Sequence, residues 1–207
     1  MKKLISLILI LALALSASAA LAKTVLPDQD EFEGLAGMVV NATIGEYNET
    51  DGTFAVLLYT DDCFDIEDVE KLAAGDTLLA GGQVYTVKEK TEEEDTGDIL
   101  VTTEDGTEIV FTQVGDDDMI AMSTDDDRRY MHAFALLYLP AAEGIVYEDA
   151  SDPENPEAVV TRGLADILKI KAEKEETSIG FDYYATIIEL NENLEIVRIH
   201  QDFDVAQ

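Results

Sequence analysis

The strongest constraint on the fold is a recurring arrangement in which two runs of β-branched and aromatic residues flank a short turn-forming sequence. Four such arrangements occur, and they are centred on Asp51-Gly52, Gly81-Gly82, Asp105-Gly106 and Asn191-Glu192-Asn193. Glycine and asparagine adopt positive φ angles at little cost, and tight hairpin turns require such angles. The sequence therefore predicts four β-hairpins, which supply eight antiparallel strands.

Further runs extend this β pattern. The segments MIAMS (residues 119–123) and HAFALLYLP (132–140) are apolar and have the length of single strands. The overlapping segment YLPAAEGIVY (138–147) predicts a strand, a turn and another strand. Because many short strands joined by tight turns are typical of all-β proteins, we expect a mainly β fold, an antiparallel barrel or sandwich built from hairpins.

Two segments depart from the alternating pattern and predict one or two short helices. In DIEDVEKLAAGD (65–76), Ile66, Val69 and Leu72 recur at helical spacing, and Gly75 is a typical helix end. In TRGLADILKIKAEKEE (161–176), a stripe at helical spacing predicts a second helix. That stripe consists of Leu164, Ile167, Leu168 and Lys171. Its central part also alternates, so a strand remains the alternative there.

The N-terminus predicts an export signal. Two lysines precede an apolar run over residues 4–15, and small residues follow as far as Ala19 or Ala22. A charged start, a short apolar stretch and a small-residue cleavage motif define a secretory signal peptide, whereas a membrane helix needs about 20 apolar residues. We therefore expect residues 1–22 to be a signal peptide of bacterial type, with an uncleaved anchor as the alternative. The protein would then be secreted, with no membrane span after cleavage.

The remaining chain is expected to form one domain. Residues 23–33 are a polar lead-in, and residues 34–205 form a single mainly β domain. The acidic, proline-bearing stretch at 149–157 is an alternative boundary that would divide this domain. We favour one domain, because the part after this boundary has too few strands for a closed core of its own.

Net charge excludes one class of partner. The chain contains 45 acidic and 13 basic residues, a net charge of −32. Such a field repels phosphate backbones and anionic lipid surfaces, so no nucleic acid partner is expected. The acidic excess instead suits solubility outside the cell, affinity for divalent cations or attraction to a cationic partner. Apolar residues make up 47% of the chain, which predicts a folded rather than a disordered protein.

The candidate metal ligands are two aspartate triplets on either side of MIAMST. They are Asp116, Asp117 and Asp118, and Asp125, Asp126 and Asp127. If the intervening segment is a strand, Asp118 and Asp125 lie about 23 Å apart, whereas calcium holds its oxygen ligands within about 2.6 Å. The six residues therefore do not form one site, and calcium at either triplet would need further ligands. No EF-hand pattern occurs, so no cofactor is predicted beyond calcium in this role.

Histidine and cysteine are too scarce to form an evident metal or nucleophilic site. His132 and His200 are the only histidines and Cys63 is the only cysteine, whereas a zinc site needs three or four ligands. We expect both histidines to be structural and Cys63 to be a small buried residue. Arg128 and Arg129 are expected to pair with the second aspartate triplet.

A glycan hydrolase would need only two suitably spaced carboxylates. The chain offers many carboxylates but no tryptophan, so tyrosines would have to form any sugar-binding face. Tyr183 and Tyr184 are adjacent, and in a strand they would point to opposite faces of the sheet.

No catalytic constellation emerges from these patterns. The sequence therefore predicts a secreted acidic protein that acts as a non-catalytic binding or interaction module with an unknown extracellular partner. The alternatives are a calcium- or divalent-cation-binding protein and a carboxylate-based glycan hydrolase.

Overall fold

The computed structural model describes residues 22–28, 34–93, 95–152, 154–155, 157–177 and 180–202. Most of them lie in strands that form two sheets, and two short helices accompany the sheets, which confirms the predicted mainly β fold. Apart from Ala22, the predicted signal peptide lies outside the described residues. The strands are β1 Thr24–Val25, β2 Val39–Asn48, β3 Thr53–Asp61, β4 Cys63–Asp65, β5 Thr77–Ala80, β6 Gln83–Glu92, β7 Ile99–Thr103, β8 Glu108–Gln113, β9 Asp118–Ser123, β10 Met131–Asp149, β11 Val159–Arg162, β12 Thr186–Leu190 and β13 Ile196–Gln201.

One sheet, here called the barrel sheet, closes on itself. Its strand order is β11-β10-β13-β12-β2-β3, and β3 pairs in turn with β10. Five strands therefore form a closed circuit, in which only β10 and β13 run parallel.

The core of the barrel sheet follows from strict alternation along its strands. On β3, Phe54, Val56 and Leu58 have no exposed surface, whereas the residues between them are half-buried. Alternate side chains point to opposite faces of a strand, so one face of β3 fills the circuit and the other faces outward. Ile167 of the second helix packs into the same core.

The second sheet, here called the meander sheet, has the order β1-β5-β6-β7-β8-β9-β4. β4 to β9 lie between β3 and β10 in the chain, so all strands of this sheet except β1 form an insertion into the barrel sheet. It has its own core, which includes Phe64, Leu78 and Phe111. Within the segment expected to be a polar lead-in, β1 pairs with β5 and buries Val25.

All four predicted hairpins are confirmed. Gly52 and Gly106 adopt positive φ angles of 68° and 92°, as their turns require. In the fourth hairpin the positive angle belongs to Leu194, at 60°. Asn191 acts there through its side chain, whose Oδ1 accepts hydrogen bonds from the backbone N–H groups of Asn193 and Glu195.

The turn predicted within residues 138–147 is wrong, because β10 continues through it as a strand of 19 residues. Its first half, from Met131 to Pro140, pairs with β3, and its second half pairs with β13 and β11. The pairing shifts register between Ala141 and Val146, where Gly144 has a φ of 83°. The glycine therefore marks an irregularity at which the strand changes neighbours.

Both helices lie within the predicted segments, but the predicted end of the first helix at Gly75 is wrong, because the helix ends at Glu70. α1 spans only Ile66–Glu70, and the Asp65 carboxylate caps it by accepting from two backbone N–H groups. α2 spans Leu164–Thr177, so the strand alternative there is wrong. Lys171 lies on its buried stripe and forms an ion pair with Glu175 one turn later. Neither helix has the length and apolar composition that crossing a membrane requires, a finding limited to the described residues.

Candidate functional site

The two sheets meet where the chain leaves β3 for β4 and where it returns from β9 to β10. A cleft of about 430 Å³ lies at this junction, and a smaller one of about 290 Å³ shares four lining residues with it. We call the two together the junction cleft. Its lining includes four tyrosines, two arginines, two aspartates and two methionines, namely Tyr59, Tyr130, Tyr183, Tyr184, Arg128, Arg129, Asp61, Asp126, Met38 and Met131.

Three tyrosines form an aromatic group at one side of the junction cleft, here called the aromatic wall, which consists of Tyr59, Tyr183 and Tyr184. The ring of Tyr59 stacks on Tyr183 with centroids 4.2 Å apart, and Tyr184 meets Tyr183 edge to face at 5.2 Å. Tyr183 and Tyr184 lie in a turn before β12 rather than in a strand, so the expectation that they occupy opposite sheet faces is wrong. Consecutive residues of a turn are free to direct both rings toward one cleft.

Side chains of β2 hold this turn in place. The Asn41 amide donates a hydrogen bond to the backbone carbonyl of Tyr183, at 2.8 Å. The Thr43 hydroxyl donates to the carboxylate of Asp182, also at 2.8 Å. These two bonds attach residues that are more than a hundred positions away in the chain, and they make the aromatic wall part of the barrel sheet.

The arginines face the tyrosines and are paired with acidic side chains. The guanidinium carbon of Arg128 lies 4.3 Å from the ring centroid of Tyr184, a cation–π arrangement. Arg128 also pairs with Asp126 at 3.6 Å, which confirms the predicted contact with the second triplet. Arg129 instead pairs with Asp61 of β3 at 2.8 Å, so that part of the prediction is wrong. Among the described lining residues, two positive charges thus balance two negative ones.

The phenols of Tyr183 and Tyr184 favour their neutral forms. Burial raises the pKa of Tyr183 above its ordinary value, and the carboxylate of Asp182 raises it further. The same two causes raise the pKa of Tyr184, against the opposing effect of Arg128. The junction cleft therefore keeps uncharged hydroxyl groups at any physiological pH.

A buried carboxylate lies directly after β3, next to the junction cleft. Asp62 has no exposed surface, and its Oδ1 is 2.6 Å from Nδ1 of the half-buried His132. Its Oδ2 accepts the backbone N–H of Gly81 at 2.5 Å. Cys63, expected to be buried, is half-buried instead, because alternation directs Asp62 and Phe64 inward on either side of it.

The aspartate triplets lie at opposite ends of β9. Asp116 and Asp117 precede the strand and Asp118 begins it, and all three side chains are exposed. The second triplet, residues 125–127, occupies the turn after the strand, where Asp126 pairs with Arg128. Within the described part of the chain, no group of three or more His, Cys, Asp or Glu side chains is arranged to hold a metal ion. Calcium binding at either triplet stays a prediction.

His200 belongs to another, smaller cleft of about 220 Å³ on the outside of the barrel sheet. Its Nδ1 lies 3.4 Å from the carboxylate of Glu148, which also pairs with Arg198 at 3.6 Å. Glu189 pairs with the same arginine at 2.8 Å. Glu148 and Glu189 thus both pair with the guanidinium of Arg198. Glycan hydrolysis by a pair of carboxylates stays a prediction.

Sequence reasoning missed Tyr59 and Asp61 as site residues. Both lie on β3 and meet partners about 70 to 120 residues further along the chain. No local pattern distinguishes them from other strand residues. Asp62 carried a usable signal, because it lies two residues before the apolar Phe64 and alternation places both on the same face.

No protein-family model, curated protein or solved structure matches the chain. What the chain can do is therefore inferred from its own residues. The junction cleft combines concavity, aromatic surface and a few polar groups, which are the usual features of a small-ligand site.

Proposed function

We propose that the protein is a non-catalytic binding module that acts outside the cell and holds its ligand in the junction cleft. The observation that carries this proposal is the convergence of Tyr59, Tyr183 and Tyr184 with two ion-paired arginines at one concave junction. The lysine-led leader supports the extracellular location.

The composition of the junction cleft suits binding. Tyrosine presents a large and rigid apolar surface with a polar tip, and it loses little conformational entropy when a ligand covers it. Arg128 and Arg129 are held in place by their carboxylate partners, so their remaining donors are already oriented. Preorganised groups of this kind raise affinity because less freedom is lost on binding.

The side chains of the junction cleft favour binding of a ligand over its catalytic conversion. General acid–base catalysis needs a group that gains and loses a proton near the working pH. Burial and the Asp182 carboxylate raise the pKa of Tyr183 and that of Tyr184, so these two phenols keep their protons near neutral pH. The polar groups of the junction cleft therefore supply fixed donors and acceptors.

The test is ligand-detected binding with mapping onto the protein. The isotope-labelled protein would be titrated with a mixed library of peptides, oligosaccharides and small metabolites while its amide spectrum is recorded. We expect at least one ligand to shift the signals of Tyr59, Arg128 and Tyr184 together. The proposal fails if no library member shifts them, or if every ligand binds elsewhere. An Arg129→Gln variant should weaken the binding, whereas Val114→Ala, an exposed position beside the start of β9, should not.

A further inference from the structure

On β3 from Thr53 to Tyr59, and on the β10 residues paired with this segment, the outward side chains are uncharged, whereas Asp61 follows on the same face next to the junction cleft. Together with Asn41 and Thr43 of the neighbouring β2, these uncharged side chains form what we call the outer face. From β3 come Thr53, Ala55, Leu57 and Tyr59, and from β10 come Leu136 and Tyr138. In a chain with 45 acidic residues, an uncharged surface of this extent departs sharply from the rest of the protein.

The outer face is also apolar and accessible. Leu136 is 61% exposed and Tyr138 is 69% exposed. Leu136 pairs across the strands with Leu57, and Tyr138 pairs with Ala55. Contiguous apolar surface of this kind marks interaction sites in folded proteins.

The outer face and the junction cleft are continuous through Tyr59. This residue lies on the outer face and stacks on Tyr183 of the aromatic wall. Tyr59 lies four positions along β3 from Ala55, the partner of Tyr138, so the two tyrosines stand about 13 Å apart along the strand. Only an extended ligand contacts both.

We propose that the ligand is an uncharged glycan chain, one end of which enters the junction cleft while the rest lies along the outer face as far as Tyr138. This inference rests on the function proposed above. A sugar ring has an apolar face that packs on an aromatic ring and a rim of hydroxyl groups. Both properties match a row of tyrosines next to paired Arg and Asp side chains.

Charge selects this ligand over the alternatives. A cationic ligand would be attracted to the acidic surface elsewhere, and an anionic ligand would meet the repulsion of a net charge of −32. The charges of the described residues balance in the junction cleft, and the outer face is uncharged. These two surfaces therefore attract neither a cationic nor an anionic ligand. A second copy of the chain would bring two strongly negative molecules together, so we assign the surface to an uncharged chain.

The experiment is calorimetric titration of the purified protein with cellohexaose, laminarihexaose and mannohexaose, and with hexagalacturonate as the charged comparison. We expect at least one neutral hexasaccharide to bind with a dissociation constant that changes less than twofold between 50 and 500 mM NaCl. The Tyr138→Ala variant should weaken that binding about five- to tenfold and leave the matching disaccharide within twofold. Because Tyr138 is largely exposed, this variant should fold normally. Val114→Ala, an exposed apolar position beside the start of β9, is the control.

Three results would overturn the inference. They are binding of hexagalacturonate alone, equal hexasaccharide affinity in the Tyr138→Ala variant, and a concentration-dependent dimer that this variant abolishes. Binding of none of the hexasaccharides would also overturn it. The library titration described above then shows whether the junction cleft takes a different ligand, so failure of the glycan assignment is distinguishable from failure of the binding function.

Discussion

Nδ1 of His132 lies 2.6 Å from Oδ1 of Asp62, although 70 residues separate the two in the chain. Asp62 stands where the chain leaves the barrel sheet and His132 where it has just returned. Asp62 also accepts the N–H of Gly81, in the turn between β5 and β6. One buried carboxylate therefore joins three segments at the junction of the two sheets, beside the proposed binding site.

Breaking this contact should destabilise the protein. Replacement of His132 by alanine leaves a buried carboxylate with one partner fewer, and we expect the free energy of unfolding to fall by about 2–3 kcal/mol. Urea denaturation measures this change. His200→Ala is the matched control, because that histidine is half-buried beside the partly exposed Glu148 and its removal should cost less than about 1 kcal/mol. Equal losses in both variants would contradict the special role of Asp62.

A buried phenol forms a second long-range contact in the barrel core. The Tyr147 hydroxyl donates to Oε1 of Gln201 at 2.7 Å, and both residues are buried. Tyr147→Phe removes the donor and leaves the acceptor unpaired, so we expect a loss of about 1–2 kcal/mol in thermal or urea unfolding. The exposed Tyr138→Phe should be neutral. A Tyr147→Phe variant as stable as the parent protein would show that the hydrogen bond contributes nothing net.

Asp149 should contribute to stability in a pH-dependent way. Burial acts to raise the pKa of Asp149, but hydrogen bonds from Ser151 and Lys174 outweigh it and leave this pKa below its ordinary value. A lowered folded-state pKa means that the contribution is present above the unfolded pKa of about 3.9 and is lost as pH falls through the folded value.

The Asp149→Asn variant measures this contribution. Its stability deficit relative to the parent protein should be under about 1 kcal/mol at pH 7, because the pair with Lys174 is partly exposed. The deficit should shrink as urea midpoints are compared at successively lower pH below about 4. A deficit that grows with acidity would contradict the direction of the shift.

Calcium should not stabilise the protein through the aspartate triplets. The triplets occupy opposite ends of β9, and Asp126 is already paired with Arg128. We expect the melting temperatures in 1 mM calcium and in chelator to agree within about 1 °C at matched ionic strength, because a ligand stabilises only if it binds the folded state preferentially. A saturable rise that Asp125→Asn or Asp117→Asn abolishes would instead establish an ion site.

The leader should be removed on export. When the full chain is expressed in a secreting bacterium, we expect the protein in the periplasm or medium to begin at residue 20 or 23, since the small-residue motif ends at Ala19 or Ala22. N-terminal sequencing and intact mass measure this. A full-length product that stays with the membrane would support the uncleaved anchor.

Local chemistry determined the hairpins and the second helix. Gly52, Gly106 and the Gly81-Gly82 pair accept the φ angles of tight turns whatever surrounds them, and the flanking alternation defines which residues face the core. The stripe predicted for the second helix includes Ile167 and Lys171, and both are buried in α2. These features depend on residues within a few positions of one another, so the sequence contains them explicitly.

Only the tertiary structure decided how the strands close and where the binding surface lies. The pairing of β10 with β3 on one half and β13 on the other, the stacking of Tyr59 on Tyr183 and the contact of Asp62 with His132 all join distant segments. Alternation specifies a face for each side chain but no neighbour across the sheet. Neighbours follow from which long-range pairing buries the most apolar surface while satisfying the backbone hydrogen bonds, and that is a property of the whole chain.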